Sequence, residues 1–131
     1  MTDEVYWFII MPVISLRLEV EIMSIASDLI RGHTDTIILA QLKKGDSYGY
    51  QINKYIKECT NGEYELKEAT LYTAFKRLET NGFIRSYWGD ENTGARRKYY
   101  SITTMGEAVY GNLLEEWNTA KRLIDNLVND R

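Results

Sequence analysis

Proline, cysteine and histidine each occur once in the 131 residues. Pro12 is the only residue that would both remove a backbone donor and clash with a preceding helical turn, so everything after it is free to form long helices. Cys59 cannot close an internal disulfide, and a reducing, cytoplasmic setting fits. A thiol nucleophile needs a base, yet no motif links His33, the one histidine, to Cys59. A phosphate-cradling G-x-x-x-x-G-K-[ST] loop and any metal-spaced set of His and Cys are also missing. The expectation is therefore a protein that is not an enzyme and carries no metal or cofactor. The longest apolar run, Val5 to Ile14 with Tyr6, Trp7 and Phe8 together, is about half of what a membrane-spanning helix requires. Asp3 and Glu4 precede it and no small-residue cleavage site follows, unlike a secretory signal. No membrane association is expected.

What is present is an ordinary globular mixture, 44% hydrophobic and 27% charged, long enough for one domain with one modest core. The formal net charge is -3, which speaks weakly against a polyanionic partner. Its distribution speaks for one. Lys67 to Lys98 holds seven cations (Lys67, Lys76, Arg77, Arg85, Arg96, Arg97, Lys98) against four acids, a local +3 that leaves -6 on the rest. The local field decides phosphate binding; a merely solvated basic surface is the other reading of the same count.

Three regions are expected: 1–22 as an N-terminal extension, 23–103 as the main domain and 104–131 as a C-terminal helix. The extension is either upstream of the functional domain, with Met23 near its true start, or an added element covering apolar surface. From Ser24, the residues Ile25, Leu29, Ile37, Ile38, Leu39 and Leu42 follow helical spacing up to Gly45-Asp46. Ser47 is a candidate cap for a second helix through Tyr48, Ile52, Tyr55 and Ile56 to Asn61-Gly62. A short strand over Tyr64 to Leu66 comes next, then a third helix over Glu68 to Asn81. Strands are expected at Phe83 to Trp88 and Arg97 to Thr103, with a polar turn at Gly89 to Ala95. The last helix opens on Thr104-Met-Gly-Glu107, a capping-box pattern. The order predicts a mainly helical fold with a small β-hairpin: a winged helix-turn-helix followed by a long C-terminal helix.

The third helix has two distinct faces. With Leu71 as origin, Phe75 and Leu78 fall within about 40° at 3.6 residues per turn, flanked by Ala74, and should anchor it. The opposite face carries Ala69, Thr70, Thr73, Lys76, Arg77 and Thr80, with Tyr72 at the border. Small residues permit close approach, and hydroxyls and cations reach phosphates or base edges. A merely solvated helix would more often mix Glu with Lys four apart. Lys67 cannot cap this helix, and it stands where a phosphate contact is expected. In the hairpin, Tyr100 and Ile102 alternate with Tyr99 and Ser101. Arg96, Arg97 and Lys98, beside Gly94, suit contacts to a nucleic-acid backbone or minor groove; a charged edge strand that discourages aggregation is the alternative. The expected DNA-contacting set is thus Lys67, Thr70, Tyr72, Thr73, Lys76, Arg77, Arg96, Arg97 and Lys98.

Asp46-Ser-Tyr-Gly-Tyr-Gln-Ile52, Ala69-Thr-Leu-Tyr-Thr-Ala-Phe-Lys-Arg-Leu-Glu79, Asn81-Gly-Phe-Ile84 and Gly94-Ala-Arg-Arg-Lys-Tyr-Tyr-Ser-Ile-Thr103 resemble, in order and spacing, the signature stretches of PadR-type regulators. The resemblance covers the chain from about Ser24 onward and is nearest to the short members with a single C-terminal helix. It implies a homodimer that represses transcription at a double-stranded DNA operator. The spacing of Val109, Leu113, Trp117, Ala120, Ile124 and Leu127 is independently that of an a/d-like seam, although such a seam can also cover only its own core. The resemblance further implies a site for planar aromatic molecules, as in a multidrug-binding repressor. That site would be built on Trp117 and lined by Leu29, Gly32, Asp35, Thr36, Leu114 and Ile124. Lys121 stands where the family has an acidic residue, which disfavours cationic ligands. A packed interfacial tryptophan is the plainer reading of Trp117. A winged helix used only for protein contacts is the alternative to a DNA reader; a salt-dependent gel shift separates the two.

Overall fold

The computed structural model describes residues 25–89 and 96–129. The N-terminal extension 1–22 and, from residue 90 onward, the turn expected at Gly89 to Ala95 lie outside the described residues. The chain divides into two units, Met1–His33 and Thr34–Arg131. In the first, residues 25–31 form helix α1, whose Arg31 pairs with Asp28. It ends in a turn closed by Gly32 N–H to Asp28 O (3.0 Å) and His33 N–H to Ile30 O (2.9 Å).

The second unit runs α2 (Thr34–Lys44), α3 (Gly49–Cys59), α4 (Glu68–Thr80), β1 (Ile84–Trp88), β2 (Lys98–Ile102) and α5 (Thr104–Val128). The single helix expected from Ser24 to Leu42 is therefore two. Gly32 has the weakest helix preference of any residue but proline, and Thr34 and Asp35 are residue types suited to a new start. The apolar spacing continues across this break, which is why spacing alone did not reveal it.

One core holds the second unit together. Ile38, Leu39 and Leu42 of α2, Ile52 and Ile56 of α3, Leu66, then Leu71, Ala74, Phe75 and Leu78 of α4 are buried with Ile84 and Tyr100 of the hairpin. Those on the helices are the helix-periodic apolar positions, and each large aliphatic or phenyl side chain of the core stabilises by about 2 kcal/mol when removed from water. Phe75 and Tyr100 stack at 4.0 Å between centroids, which fastens the hairpin to α4. Tyr55, on the outer side of α3, is exposed and accepts a hydrogen bond from Lys44 Nζ (2.8 Å).

The hairpin is antiparallel, with Ile84 opposite Ile102, Ser86 opposite Tyr100 and Trp88 opposite Lys98. Residues 64–67 are not a strand. The backbone of Leu66 is instead held by the Asn53 side chain, which donates to Leu66 O (2.9 Å) and accepts from Leu66 N–H (3.1 Å). The place of a third strand beside β2 is taken by Ser47, in a one-residue bridge to Tyr100. Its hydroxyl therefore does not cap α3; Tyr48 is the N-cap, without a side-chain bond, and Ser47 Oγ donates to Gln51 Oε1 (2.7 Å).

Helix α5 starts one residue earlier than the Thr104-Glu107 pattern implies. Thr103, in extended conformation at the end of the hairpin, is the N-cap and accepts from Gly106 N–H (3.0 Å). Glu107 pairs with Lys43 of α2 instead (3.6 Å). Among the described residues, no helix is long and apolar enough to cross a membrane.

Candidate nucleic-acid interface

The turn between α3 and α4 needs backbone conformations that few residues adopt. Asn61 and Gly62 have φ of 51° and 78°, in the left-handed region where Asn and Gly are tolerated best. Thr60 Oγ1 donates to Ile56 O (2.8 Å) and accepts from Tyr64 N–H (3.1 Å), so the chain leaves α3 in a fixed direction. The Asn53 clamp on Leu66 then delivers it to α4. Lys67 is the N-cap residue of α4 and makes no side-chain cap bond, as its chemistry requires. A cleft of about 420 Å³ opens there, lined by Gly49, Tyr50, Asn53, Lys67, Leu71 and Tyr72.

Leu71, Ala74, Phe75 and Leu78 are buried and fix the rotation of α4. Ala69, Thr73, Lys76 and Thr80 consequently face solvent, with Tyr72 half exposed and Thr70 half-buried on the flanks. The centre of this face bears no acid, and its small side chains leave the helix backbone approachable. Arg77 sits on one flank and is not free: its Nη2 and Nε bond to the Asp35 carboxylate of α2, the latter at 3.3 Å. That bond raises the pKa of Arg77 further, and the arginine stays charged. The pair brings together a residue expected at DNA and one the family resemblance puts in a ligand site; they lie 42 positions apart, and nothing in the sequence signals it.

At the base of the wing, all three expected cations are exposed. Each lies over an aromatic ring: Arg96 over Trp88 (5.0 Å), Arg97 over Tyr48 (4.8 Å) and Lys98 over Tyr100 (5.8 Å). Such contacts at exposed sites are worth about 0.5–1 kcal/mol and leave the charges outward. Sequence reasoning missed the supporting cast. Tyr87 donates to Asp46 Oδ2 (2.6 Å), which raises the Tyr87 pKa, and Tyr99 lies against both Tyr87 and Tyr48. The alternation of tyrosines with cations along the hairpin was the one available signal.

The residues expected at the dimer and ligand sites divide. Val109 and Leu113 pack against the core of their own unit, so this half of the seam is an internal contact. Beyond it, Trp117 and Ala120 are half-buried while Ile124 and Leu127 are 54% and 81% exposed, leaving an apolar stripe facing outward. Lys121 Nζ stands 5.8 Å from the Trp117 ring centroid. Asp35 and Thr36 are half-buried and Leu114 is exposed in the second unit; Leu29 is exposed in the first, and Gly32 closes its turn. Among the described residues, no cluster of His, Cys, Asp and Glu could hold a metal ion.

Known proteins share this fold. The model of the "Transcriptional regulator PadR-like family" matches residues 38–112. The structure of a transcriptional regulator from Clostridium thermocellum, Cth-833, superposes with a TM-score of 0.71 at 52% identity, over 78% of this chain and 96% of that one. An uncharacterised protein of Lysinibacillus sphaericus is 46% identical over 77% of this chain and 93% of its own length. The "Negative transcriptional regulator PadR" of Bacillus subtilis is 30% identical over 71% of this chain; the chain spans 49% of that longer protein. A family model that spans the core helices, α4 and the hairpin, together with relatives matched over most of this chain, establishes that the chain belongs to the PadR-like family of transcriptional regulators.

Proposed function

We propose that the protein is a homodimeric repressor, working in the cytoplasm, that reads an operator with α4 and grips the flanking backbone with the wing cations. The observation that carries this reading is the acid-free outer face of α4, on which Ala69, Thr73, Lys76 and Thr80 are exposed, together with the exposure of Arg96, Arg97 and Lys98 at the hairpin. Thr70, Tyr72 and Thr73 contribute to sequence preference or positioning, and Lys67 and Lys76 to phosphate contacts. Arg77 joins only by exchanging Asp35 for a phosphate. Repression itself rests on the B. subtilis relative named as a negative regulator. The outward apolar stripe of α5, half-buried at Trp117 and Ala120 and exposed at Ile124 and Leu127, supports dimerisation through α5, which would set two reading helices at half-sites about one DNA turn apart.

Release by a planar aromatic molecule is the finer part of the proposal. It rests on the resemblance of Glu68 to Thr73 and Ser86 to Glu91 to the multidrug-binding repressor LmrR, and on a half-buried Trp117 in the middle of the α5 seam that runs from Val109 to Leu127. Two indoles facing across the twofold would form a stacking slot. With Lys121 over the ring, neutral or anionic compounds would bind in preference to cationic dyes.

The test of DNA reading is binding to a duplex as a function of salt. Each phosphate contact contributes about -0.9 to the slope of log K against log salt. Replacing Arg96 and Arg97 together by alanine should flatten the slope by about two and weaken all sequences alike. An unchanged slope would remove the wing from the interface, and flat binding by the unaltered protein would favour a protein-contact module.

A further inference from the structure

We propose that the tyrosines at the root of the wing, Tyr48, Tyr87 and Tyr99, form a clamp that fixes the hairpin against the start of α3 and holds the Arg97 guanidinium in place for a DNA phosphate. The inference rests on the DNA-binding reading above and adds residues outside the expected contact set.

Three consecutive residues ahead of α3 each hold a different part of the hairpin. Asp46 accepts the Tyr87 hydroxyl at 2.6 Å. Ser47 exchanges backbone bonds with Tyr100, N–H to O at 3.2 Å and O from N–H at 2.8 Å. Tyr48 meets the Tyr99 ring edge-on, centroids 5.2 Å apart at 68°. Tyr99 is the hub, since Tyr87 stacks on it at 5.7 Å and 13°. A Cβ at Gly89 would lie 2.4 Å from its Cε2, so the end of β1 runs directly along this ring.

Arg97 is held at both ends by this arrangement. Its carbonyl accepts from Gly89 N–H at 2.7 Å, and its guanidinium carbon stands 4.8 Å from the Tyr48 centroid. The backbone bridge at Ser47 alone would join hairpin to helix. The side-chain contacts around it are outside the core, Tyr87 being 44% exposed and Tyr48 and Tyr99 half-buried. They add little burial, but they restrict where a long cationic side chain can go. Immobilising such a side chain before binding spares the complex that ordering cost, worth about two- to tenfold in affinity. Tyr48 is thus a positioning residue that acts through Arg97.

The test is a double-mutant cycle on the full chain, with a duplex selected by the unaltered protein from a random pool and affinity read by anisotropy over a range of salt. Tyr48→Leu should weaken binding about two- to tenfold and should add no loss to Arg97→Ala. Tyr48→Phe keeps the ring and should bind as the unaltered protein does. In the free protein, the Arg97 Cδ protons should be shifted upfield by the ring current, in Tyr48→Phe as well, and return to ordinary positions in Tyr48→Leu. Tyr87→Phe removes only the bond to Asp46; it should give a smaller loss that also vanishes with Arg97→Ala, and it carries the cycle if Tyr48→Leu does not fold. Unchanged affinity in Tyr48→Leu, an equal loss in the Arg97→Ala background, or a loss in Tyr48→Phe would each overturn the clamp. Absence of salt-dependent binding by the unaltered protein overturns the DNA reading and the clamp's role in it, and is told apart from failure of the clamp itself by the proton shifts, which are read without DNA.

Discussion

Replacing Gly106 by alanine sets two effects of opposite sign against each other. Gly106 lies in the first turn of α5 and is buried. Helix preference alone favours alanine over glycine by about 1 kcal/mol. The added Cβ, however, would stand 2.0 Å from Phe83 O and 2.9 Å from Ile102 Cγ1. Phe83 O is no flexible neighbour: it accepts Thr103 N–H at 3.0 Å, in the junction where the Thr103 hydroxyl also donates to Gly82 O (2.7 Å). Moving α5 away strains the N-cap and that bond. Overpacking costs about 1–3 kcal/mol and a lost hydrogen bond about 1 kcal/mol, so the packing terms exceed the gain in helix preference. We expect a net loss of about 2 kcal/mol, or about 8 °C in Tm for a domain of this size. Gly111 is the control on the same helix. Nothing lies within 4 Å of a Cβ there, so Gly111→Ala should raise Tm by about 4 °C through helix preference alone. Thermal melts of the two variants decide the matter. A rise in both would refute the close approach of α5 to the hairpin.

Other expectations follow from the same contacts. Glutamate at both Ile124 and Leu127 should abolish the dimer at micromolar concentration. Losing even two such burials, about 3 kcal/mol, raises Kd more than about 100-fold; sedimentation unchanged from that of a dimer would contradict the α5 interface. Burial raises the Tyr100 pKa above its ordinary value, so its neutral form is favoured in the folded state. This contribution is complete below about pH 10, where the unfolded tyrosine titrates, and is lost as pH rises through the folded pKa. Tyr100→Phe keeps the ring on Phe75 and should make the fall in stability above pH 10 shallower; denaturant titrations at pH 8 and 11 with identical pH dependence in both proteins would argue against it. Thr73→Val should alter the preferred DNA sequence without changing the salt slope, because a hydroxyl on the outer face carries no charge; an unchanged motif and affinity would remove Thr73 from the reading surface.

Much of this architecture was legible because it rests on local rules. Gly62 and Gly82, both at φ 78°, mark the ends of α3 and α4, and the apolar spacing of Leu71, Phe75 and Leu78 gives the buried face of α4. Errors arose where two neighbouring residues competed for one role. Thr103 and Thr104 are chemically identical candidates for the α5 cap, and the extended backbone at the end of β2 decides for Thr103. Ser47 is a good cap in isolation, but pairing with Tyr100 places it two residues before the helix. Contacts between distant segments left no periodic trace. Arg77 with Asp35, Asn53 with Leu66 and Tyr87 with Asp46 are single polar pairs whose partners the fold alone brings together. The α5 seam was readable as apolar spacing, but spacing does not say that Val109 and Leu113 turn to their own core while Ile124 and Leu127 stay outside it.

Whether a twofold pair of α4 helices and their wings reads DNA is decided by selecting bound duplexes from a random pool and titrating the winning sequence with salt. Enrichment of a palindromic motif with half-sites about one helical turn apart is expected, with affinity that falls steeply as salt rises. A pool that shows no enriched motif, or binding indifferent to salt, would contradict it.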